Sequence, residues 1–579
     1  MQKLYKIILS IIFVLCICYI GNSQNIFYVS TTGSNSNDGT SLGQPWKTIQ
    51  YAMDNATANS IVNITTGTYN EKVEVNVSGS VNNTIVFKNY GNDMVTISGA
   101  GINNPEAVIG IIDQSYITIQ GLYITDNEQL DAQGIVVEGN CQNIEIRNND
   151  ISKINFSSNA SAPVNSSTNS QPIIVYGTDG NNAITNLVIA DNIVHNSRTG
   201  FSEGLAINGN VNGFEVTNNI VRDITNIGID IIGHEGTANT NDQAHNGIIK
   251  GNTVYNCKSP YATAGGIYVD GGKDLLIENN RVYQCQWGIE IGCENVGKTT
   301  SGIKVRNNFI YGNDDAGIAI GGYDYPSNSG KVVDCEIRNN SCYNNDTNDA
   351  GVGGVTGEIN ITYTENCVLE NNIFYATNTA DIVLFVEDVN SINLALNYNQ
   401  FYIVGSAEFE YEGTVYSIFS SYQNGASQDA NSIFSNPEFK DISVADHHLT
   451  SSSPGLDAGN PAFMADIGET DIDGDNRVIN SRVDIGADEY SMTTSAHIIT
   501  SSLDISIYPN PFADKVIIDG DFDNYQIKIL NNAGAIITNY TGTSSPLTID
   551  LSALGAGLYF ILIQNTVHTK ASLCKILKQ

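Results

Sequence analysis

A motif of the form aliphatic-x-x-Asn recurs nine times, ending at Asn149, Asn192, Asn219, Asn252, Asn280, Asn308, Asn340, Asn372 and Asn399. Between the motifs lie short alternating apolar runs, among them Gly228-Ile229-Asp230-Ile231, Gly266-Ile267-Tyr268-Val269 and Gly288-Ile289-Glu290-Ile291. Beyond residue 502 the alternating runs continue without the coil-by-coil recurrence. These observations predict an all-β chain: a right-handed parallel β-helix, or solenoid, followed by a small C-terminal β-sandwich. No run within a repeat is long enough for a helix. One such unit cannot bury its own apolar face, so units must stack. Each repeat is then one coil, about 4.8 Å from the next. The nine Asn should form an internal ladder, since an amide side chain both donates and accepts.

The elements follow in chain order. Lys3 and Lys6 precede an apolar run, and small residues at Gly21 and Ser23 predict a signal peptide over residues 1–23. Residues 24–490 are the solenoid. Near its start, Trp46 to Met53 has helical spacing and is expected to cap the open end. Less regular coils are expected over residues 60–69, 84–90, 95–98 and 116–125. A Ser/Asn-rich insertion over 156–171 should bulge from one coil. Cys257 and Cys285 hold equivalent positions in neighbouring coils, as do Cys335 and Cys367; packing and disulfide pairing are both open. Residues 491–502 are polar and patternless, a linker. Residues 503–579 form the sandwich, with strands expected at 505–508, 515–518, 525–530, 547–551 and 558–563.

Composition narrows function. The chain has 579 residues, with 26 Lys and Arg against 61 Asp and Glu, for a net charge of −35. That balance disfavours nucleic acid, which is held mainly by Lys and Arg, and anionic membrane surfaces. The leader is too short for a stable span, so no stable membrane insertion is expected.

Three stretches resemble known families. Tyr28-Val29-Ser30, Gly33 to Thr40 and Pro45-Trp46-Lys47-Thr48-Ile49 resemble the N-terminal end of secreted pectate-lyase-like β-helix proteins. Ser453-Pro454-Gly455-Leu456-Asp457-Ala458-Gly459, Asp471-Ile472-Asp473-Gly474-Asp475 and Val483-Asp484-Ile485-Gly486-Ala487 resemble their C-terminal segment in gliding-type bacteria. Tyr508-Pro509-Asn510-Pro511, Gly557-Leu558-Tyr559 and the basic end with Lys570, Lys575 and Lys578 resemble a type IX secretion sorting domain. The last resemblance implies the type IX machinery as a partner and export to the cell surface or beyond.

Aligning the Gly-Ile-x-Ile strands places Asp230, Tyr268, Glu290 and Ala319 at one outward position in successive coils. Asp270 lies two residues beyond Tyr268. The loops that follow add His234, Glu235, Glu294, Tyr323 and Asp324. Stacked carboxylates repel unless protonated, hydrogen-bonded or metal-bound. The expected catalytic residues are Asp230, Glu290 and Asp270. Glu290 is cast as general acid, Asp230 as base of an inverting pair, and Asp270 raises a neighbour's pKa. Tyr268, His234, Glu235, Glu294, Tyr323 and Asp324 are the expected substrate-binding residues.

Asn313-Asp314-Asp315 resembles part of a calcium motif of one pectate lyase family, which makes Asp314 and Asp315 weak metal candidates; turn chemistry is the competing reading. The Asp471 to Asp475 run places its Gly at position 4, not at the 6 of an EF-hand loop. Three functions compete. A glycoside hydrolase would use paired carboxylates and no cofactor. A polysaccharide lyase would use calcium and a base such as Lys273 or Lys298. A glycan-binding or adhesive protein would use neither. The hydrolase is the leading expectation, with a polysaccharide as substrate.

Overall fold

Three parallel sheets wrap around one apolar core in the computed structural model of the chain. The structure describes residues 24–348, 356–377 and 382–491. It also describes 505–578 apart from 510–511, 521–524, 532–535, 543–545, 556 and 566–570. The expected signal peptide and nearly all of the expected linker lie outside the described residues. The chain divides into two compact units, residues 1–490 and 491–579.

In the first unit each coil contributes one strand to each sheet, and the chain visits the sheets in turn. The first sheet runs from Asn25–Val29 to Ala395–Asn397, the second from Val73–Val75 to Thr414–Tyr416, and the third from Gly67–Tyr69 to Ile433–Phe434. Inward aliphatics such as Ile229, Ile267, Ile289 and Ile318 stack in register and are fully buried. The architecture is the parallel β-helix that the repeat predicts.

The Asn ladder is present. Asn149 Nδ2 donates to Asn192 Oδ1 at 3.0 Å, and the same bond repeats through Asn219, Asn252, Asn280, Asn308, Asn340, Asn372 and Asn399. Each Asn Oδ1 also accepts the backbone N–H of the preceding rung, as at Asn252 N to Asn280 Oδ1, 2.9 Å. The last rung, Asn399, donates to Asp429 Oδ1 at 2.9 Å.

Both ends are closed. Helix Ile49–Asn55 follows Thr48, whose hydroxyl accepts the Tyr51 N–H at 3.2 Å, and it buries Ile49, Ala52 and Met53. At the far end helix Phe419–Ala426 buries Tyr422 against Phe409, with ring centroids 4.7 Å apart. The first cap is legible in the sequence as an amphipathic turn. The second carries a single buried residue and is not. The 156–171 insertion leaves the coil as a loop and rejoins it at strand Ser170–Gly177. The cysteines Cys257, Cys285, Cys335 and Cys367 are buried free thiols.

Residues 446–490, here termed the strap, lie against the turns of the solenoid. The residue before each ladder Asn is left-handed at Asn279, Asn307, Asn339 and Asn371, with φ between 54° and 58°. Asn tolerates that region better than most side chains. The side chains of these four point outward and hold the strap. Asn307 Nδ2 donates to Thr470 O at 2.8 Å and Asn339 Nδ2 to Asp484 O at 3.2 Å. Asn279 Nδ2 donates to Asp471 O. Asn371 Oδ1 accepts from Asn460 N at 2.7 Å. The doubled Asn-Asn motif thus has an inner and an outer function.

The second unit has a three-stranded antiparallel sheet, Ile505–Tyr508, Lys515–Gly520 and Leu547–Asp550. A four-stranded sheet comprises Ile536–Gly542, Tyr525–Asn531, Gly557–Asn565 and Ala571–Lys578. Its core includes Val516, Ile518, Ile527, Ile549, Ile561 and Ile576. Strands Ile536–Gly542 and Ala571–Lys578 go beyond the five that the sequence suggests. Among the described residues no helix is long and apolar enough to cross a membrane.

Candidate active site

The outward column of the second sheet falls in the expected register. Ala206 pairs with Asp230, Asp230 with Tyr268, Tyr268 with Glu290, Glu290 with Ala319, and Ala319 with Asn360. Over it lies a cleft of about 370 Å³ lined by Tyr268, Trp287, Glu290, Glu294, Tyr323 and Asn360, among others. Trp287 packs with Ala316 and Ala319. These small residues on the next coil leave open the space beside the indole. Gly292 has the same effect for Tyr268: a Cβ there would stand 3.1 Å from the Tyr268 hydroxyl.

Asp230 is 3 % exposed and Asp270 5 %. Burial pushes the Asp270 carboxyl up to about 8, and Glu294 adds to the shift. Burial holds Glu290 well above the carboxylate range, with Glu294 and Asp270 adding repulsion. Asp230 is likewise held well up by burial, with Glu203 its strongest like-charged neighbour. Glu294 is raised more modestly and sits on the exposed rim of the cleft. The Glu294 carboxylate accepts the Tyr268 hydroxyl at 3.3 Å, while its backbone N–H donates to Asp270 Oδ1 at 2.7 Å. Asp270 therefore positions the loop that carries Glu294.

Two expected roles change. Asp230, expected as the base, does not line the cleft. Tyr268 stands between it and Glu290 in the register. One Asp230 oxygen is buried without a hydrogen bond, which suits a protonated acid rather than an ionised base. His234 and Glu235 also leave the cleft. His234 lines a separate cavity of about 410 Å³ with Gln243 and Lys298, and its Nε2 lies 3.2 Å from Gln243 Nε2. Glu235 accepts from Asn295 at 2.6 Å. Tyr323 does line the cleft and is largely exposed. Asp324 is engaged beside it by Asn328.

Glu203 is the residue that sequence reasoning missed. It lies in the turn before strand Leu205–Gly209. Burial pushes it up to about 8, with Glu294 and Glu235 nearby. A signal existed: Glu203 and Trp287 each stand directly before the Gly of a Gly-aliphatic-x-Ile strand, a position that the outward-residue alignment skips.

The weak metal candidates are engaged otherwise. Asp314 pairs with Lys258 Nζ at 2.7 Å. Asp315 is buried and lies beside Asn348. Asn313 begins a second amide ladder, donating to Asn345 Oδ1 at 2.7 Å, and Asn345 donates to the buried Glu358 at 2.6 Å. Lys273 belongs to the first sheet and lies 3.8 Å from Asp274.

Comparison with known proteins agrees with this architecture. The family described as "Right handed beta helix region" matches residues 238–329, and "Secretion system C-terminal sorting domain" matches 506–578. The chain has the right-handed parallel β-helix fold, and residues 506–578 match a secretion-system sorting domain. That domain is of the type IX kind, which sends its carrier to the cell surface or the extracellular space. An uncharacterized Bacillus subtilis (strain 168) protein, YwoF, is 37% identical over 316 residues. The match covers 52% of this chain and 65% of YwoF, so the chain spans just under two thirds of that relative. Among solved structures, pectate lyase Pel9A is 14% identical with a TM-score of 0.45, covering 81% of this chain and 98% of its own. The GH136 lacto-N-biosidase from Eubacterium ramulus is 15% identical, with a TM-score of 0.40 and 67% of each chain covered. The A-module of the Azotobacter vinelandii mannuronan C-5 epimerase AlgE4 is 15% identical, with a TM-score of 0.42, covering 63% of this chain and 91% of its own.

Proposed function

We propose that the protein is an exported polysaccharide-degrading enzyme, a glycoside hydrolase whose cleft lies over Tyr268, Glu290 and Ala319. One observation carries this reading: two carboxyl groups, Glu290 on the cleft floor and Glu294 at its solvent rim, share one cleft, and burial raises the first well above the carboxylate range. Glycosidic cleavage needs an acid to protonate the leaving oxygen and a second carboxylate to activate water or attack the sugar. Glu290 is the general acid. Glu294, the better solvated of the two, takes the second role in place of Asp230. Asp230, Asp270 and Glu203 act as positioning residues, while burial raises the Glu290 carboxyl and Glu294 and Asp270 add repulsion. Trp287, Tyr268 and Tyr323 give the cleft aromatic surfaces suited to sugar rings. The sorting domain supports an extracellular substrate.

Lyase chemistry is less well supported. The Lys or Arg base considered for a lyase is not among the residues lining the cleft.

The experiment is a polysaccharide panel with the exported protein, read by reducing-end release with and without chelator. Chelator-insensitive release is expected. Unsaturated products would establish a lyase, and binding without release a glycan-binding protein.

A further inference from the structure

We propose that His448, Asp473 and Asp488 form a binding site for one divalent transition-metal ion of the zinc class, which fastens the strap.

The three residues come from different parts of the strap. His448 lies on strand Asp446–Leu449, Asp473 in the loop after Asp471, and Asp488 near the strap's end. One ligand atom from each lies within 4.8 Å of the others. His448 Nε2 is 3.0 Å from Asp473 Oδ2. The other ring nitrogen, Nδ1, is held by Asp446 Oδ1. Asp446 is anchored in turn by Lys440 Nζ, 3.0 Å from its Oδ2. Nε2 is buried and makes no hydrogen bond of good geometry. A proton on Nδ1, directed at Asp446, leaves the Nε2 lone pair facing the two carboxylates. That is the carboxylate–histidine–metal arrangement, in which the outer carboxylate sets the tautomer and orients the ring.

The surroundings suit an ion. Asp488 is buried and fixed by the Leu449 N–H, 2.6 Å from its Oδ2. The Phe309 ring meets the imidazole edge-on with centroids 5.2 Å apart. Asp473 lies at the surface and provides a path of entry. Two carboxylates neutralise a divalent charge. One imidazole nitrogen with two carboxylate oxygens selects zinc-like ions over calcium, which prefers oxygen alone. Water would complete the coordination.

The Asp471 to Asp475 run, which fails as an EF-hand loop, contributes by a different route. Asp471 Oδ1 is taken by the N–H groups of Asp473 and Asp475, at 3.0 and 2.8 Å. Those bonds shape the loop that presents Asp473.

The test uses the full-length exported protein, stripped with chelator and titrated calorimetrically with Zn²⁺, then with Ca²⁺. One Zn²⁺ per chain is expected, with a higher melting temperature and weak or no Ca²⁺ binding. His448→Gln and Asp473→Asn should each remove the zinc-induced rise in melting temperature. Asp446→Asn should weaken binding roughly 10- to 100-fold, as expected for an outer-shell partner. Asp473 is exposed, so its variant keeps the test valid if His448→Gln misfolds. Absence of saturable Zn²⁺ binding would overturn the site and leave His448 as an imidazolium between two carboxylates. Zn²⁺ binding unchanged in Asp473→Asn, or a preference for Ca²⁺, would overturn it equally.

Discussion

The solenoid holds two columns of buried polar side chains, and they obey opposite physics. The inner Asn recur at every coil, about 4.8 Å apart, whereas the acids of the outward column of the second sheet, Asp230 and Glu290, stand two coils apart with Tyr268 between them and Asp270 beside them. An amide carries a donor and an acceptor, so each Asn satisfies the next and the column needs no outside partner. An ionised carboxylate only accepts, so stacking acids multiplies repulsion and desolvation. The first column strengthens with length; the second is held only by keeping its protons. A feature that weakens the fold and opens onto a cleft is better explained by chemistry than by stability.

The contrast is broken most sharply at Glu290. Glu290→Gln should lower hydrolytic activity at least ~100-fold, the lower end for a lost acid–base group, with the melting temperature unchanged or raised. Activity retained in this variant would remove Glu290 from the mechanism. Asn280→Leu should do the reverse, lowering stability by about 1–3 kcal/mol because Asn252 and Asn308 lose partners. Denaturant unfolding measures this, and an unchanged midpoint would show that the ladder contributes little.

Asp270→Asn sharpens the comparison through pH. The folded protein keeps the Asp270 proton up to about 8, whereas the unfolded chain releases it near 3.8. Folding therefore takes up a proton between these values. The stability that Asp270 contributes is complete below pH 4 and is lost as pH rises through about 8. Wild-type unfolding free energy should fall across that window relative to Asp270→Asn, by of order 1 kcal/mol per pH unit at its steepest, with the melting temperature falling in parallel. Parallel pH profiles would show that Asp270 ionises normally. The smallest effect is expected for Asn307→Ala, in the outer Asn column. It removes one strap bond, about 0.5–1.5 kcal/mol, and should appear as faster amide exchange in residues 466–475 with the inner ladder intact.

How much was legible follows from periodicity. The ladder, the sheet register and the alignment of Asp230, Tyr268 and Glu290 all come from residues that recur once per coil, so alignment alone finds them. Glu203 and Trp287 stand one residue before the aligned Gly, the first in the turn before its strand and the second at the start of strand Trp287–Gly292, and the outward-residue alignment passes them by. The first Asn of each Asn-Asn pair is visible in the sequence, but its partner is a strap 89 to 192 residues away with no repeat to index it. Burial was the other hidden variable. An outward position in a β-helix is exposed only where nothing covers it, and Tyr268 and the loop bearing Glu294 enclose Asp230 and Asp270.

By itself the sequence determined the coil, because a repeat of short alternating strands can bury its apolar face only by stacking, and the Asn spacing indexes one turn per coil. It also determined the sorting domain, whose motifs are local in the chain. Tertiary structure alone decided which acids reach solvent, which keep their protons, and which side chains meet across the strap. Those depend on desolvation and on distances between residues far apart in sequence, and neither is encoded in a local pattern.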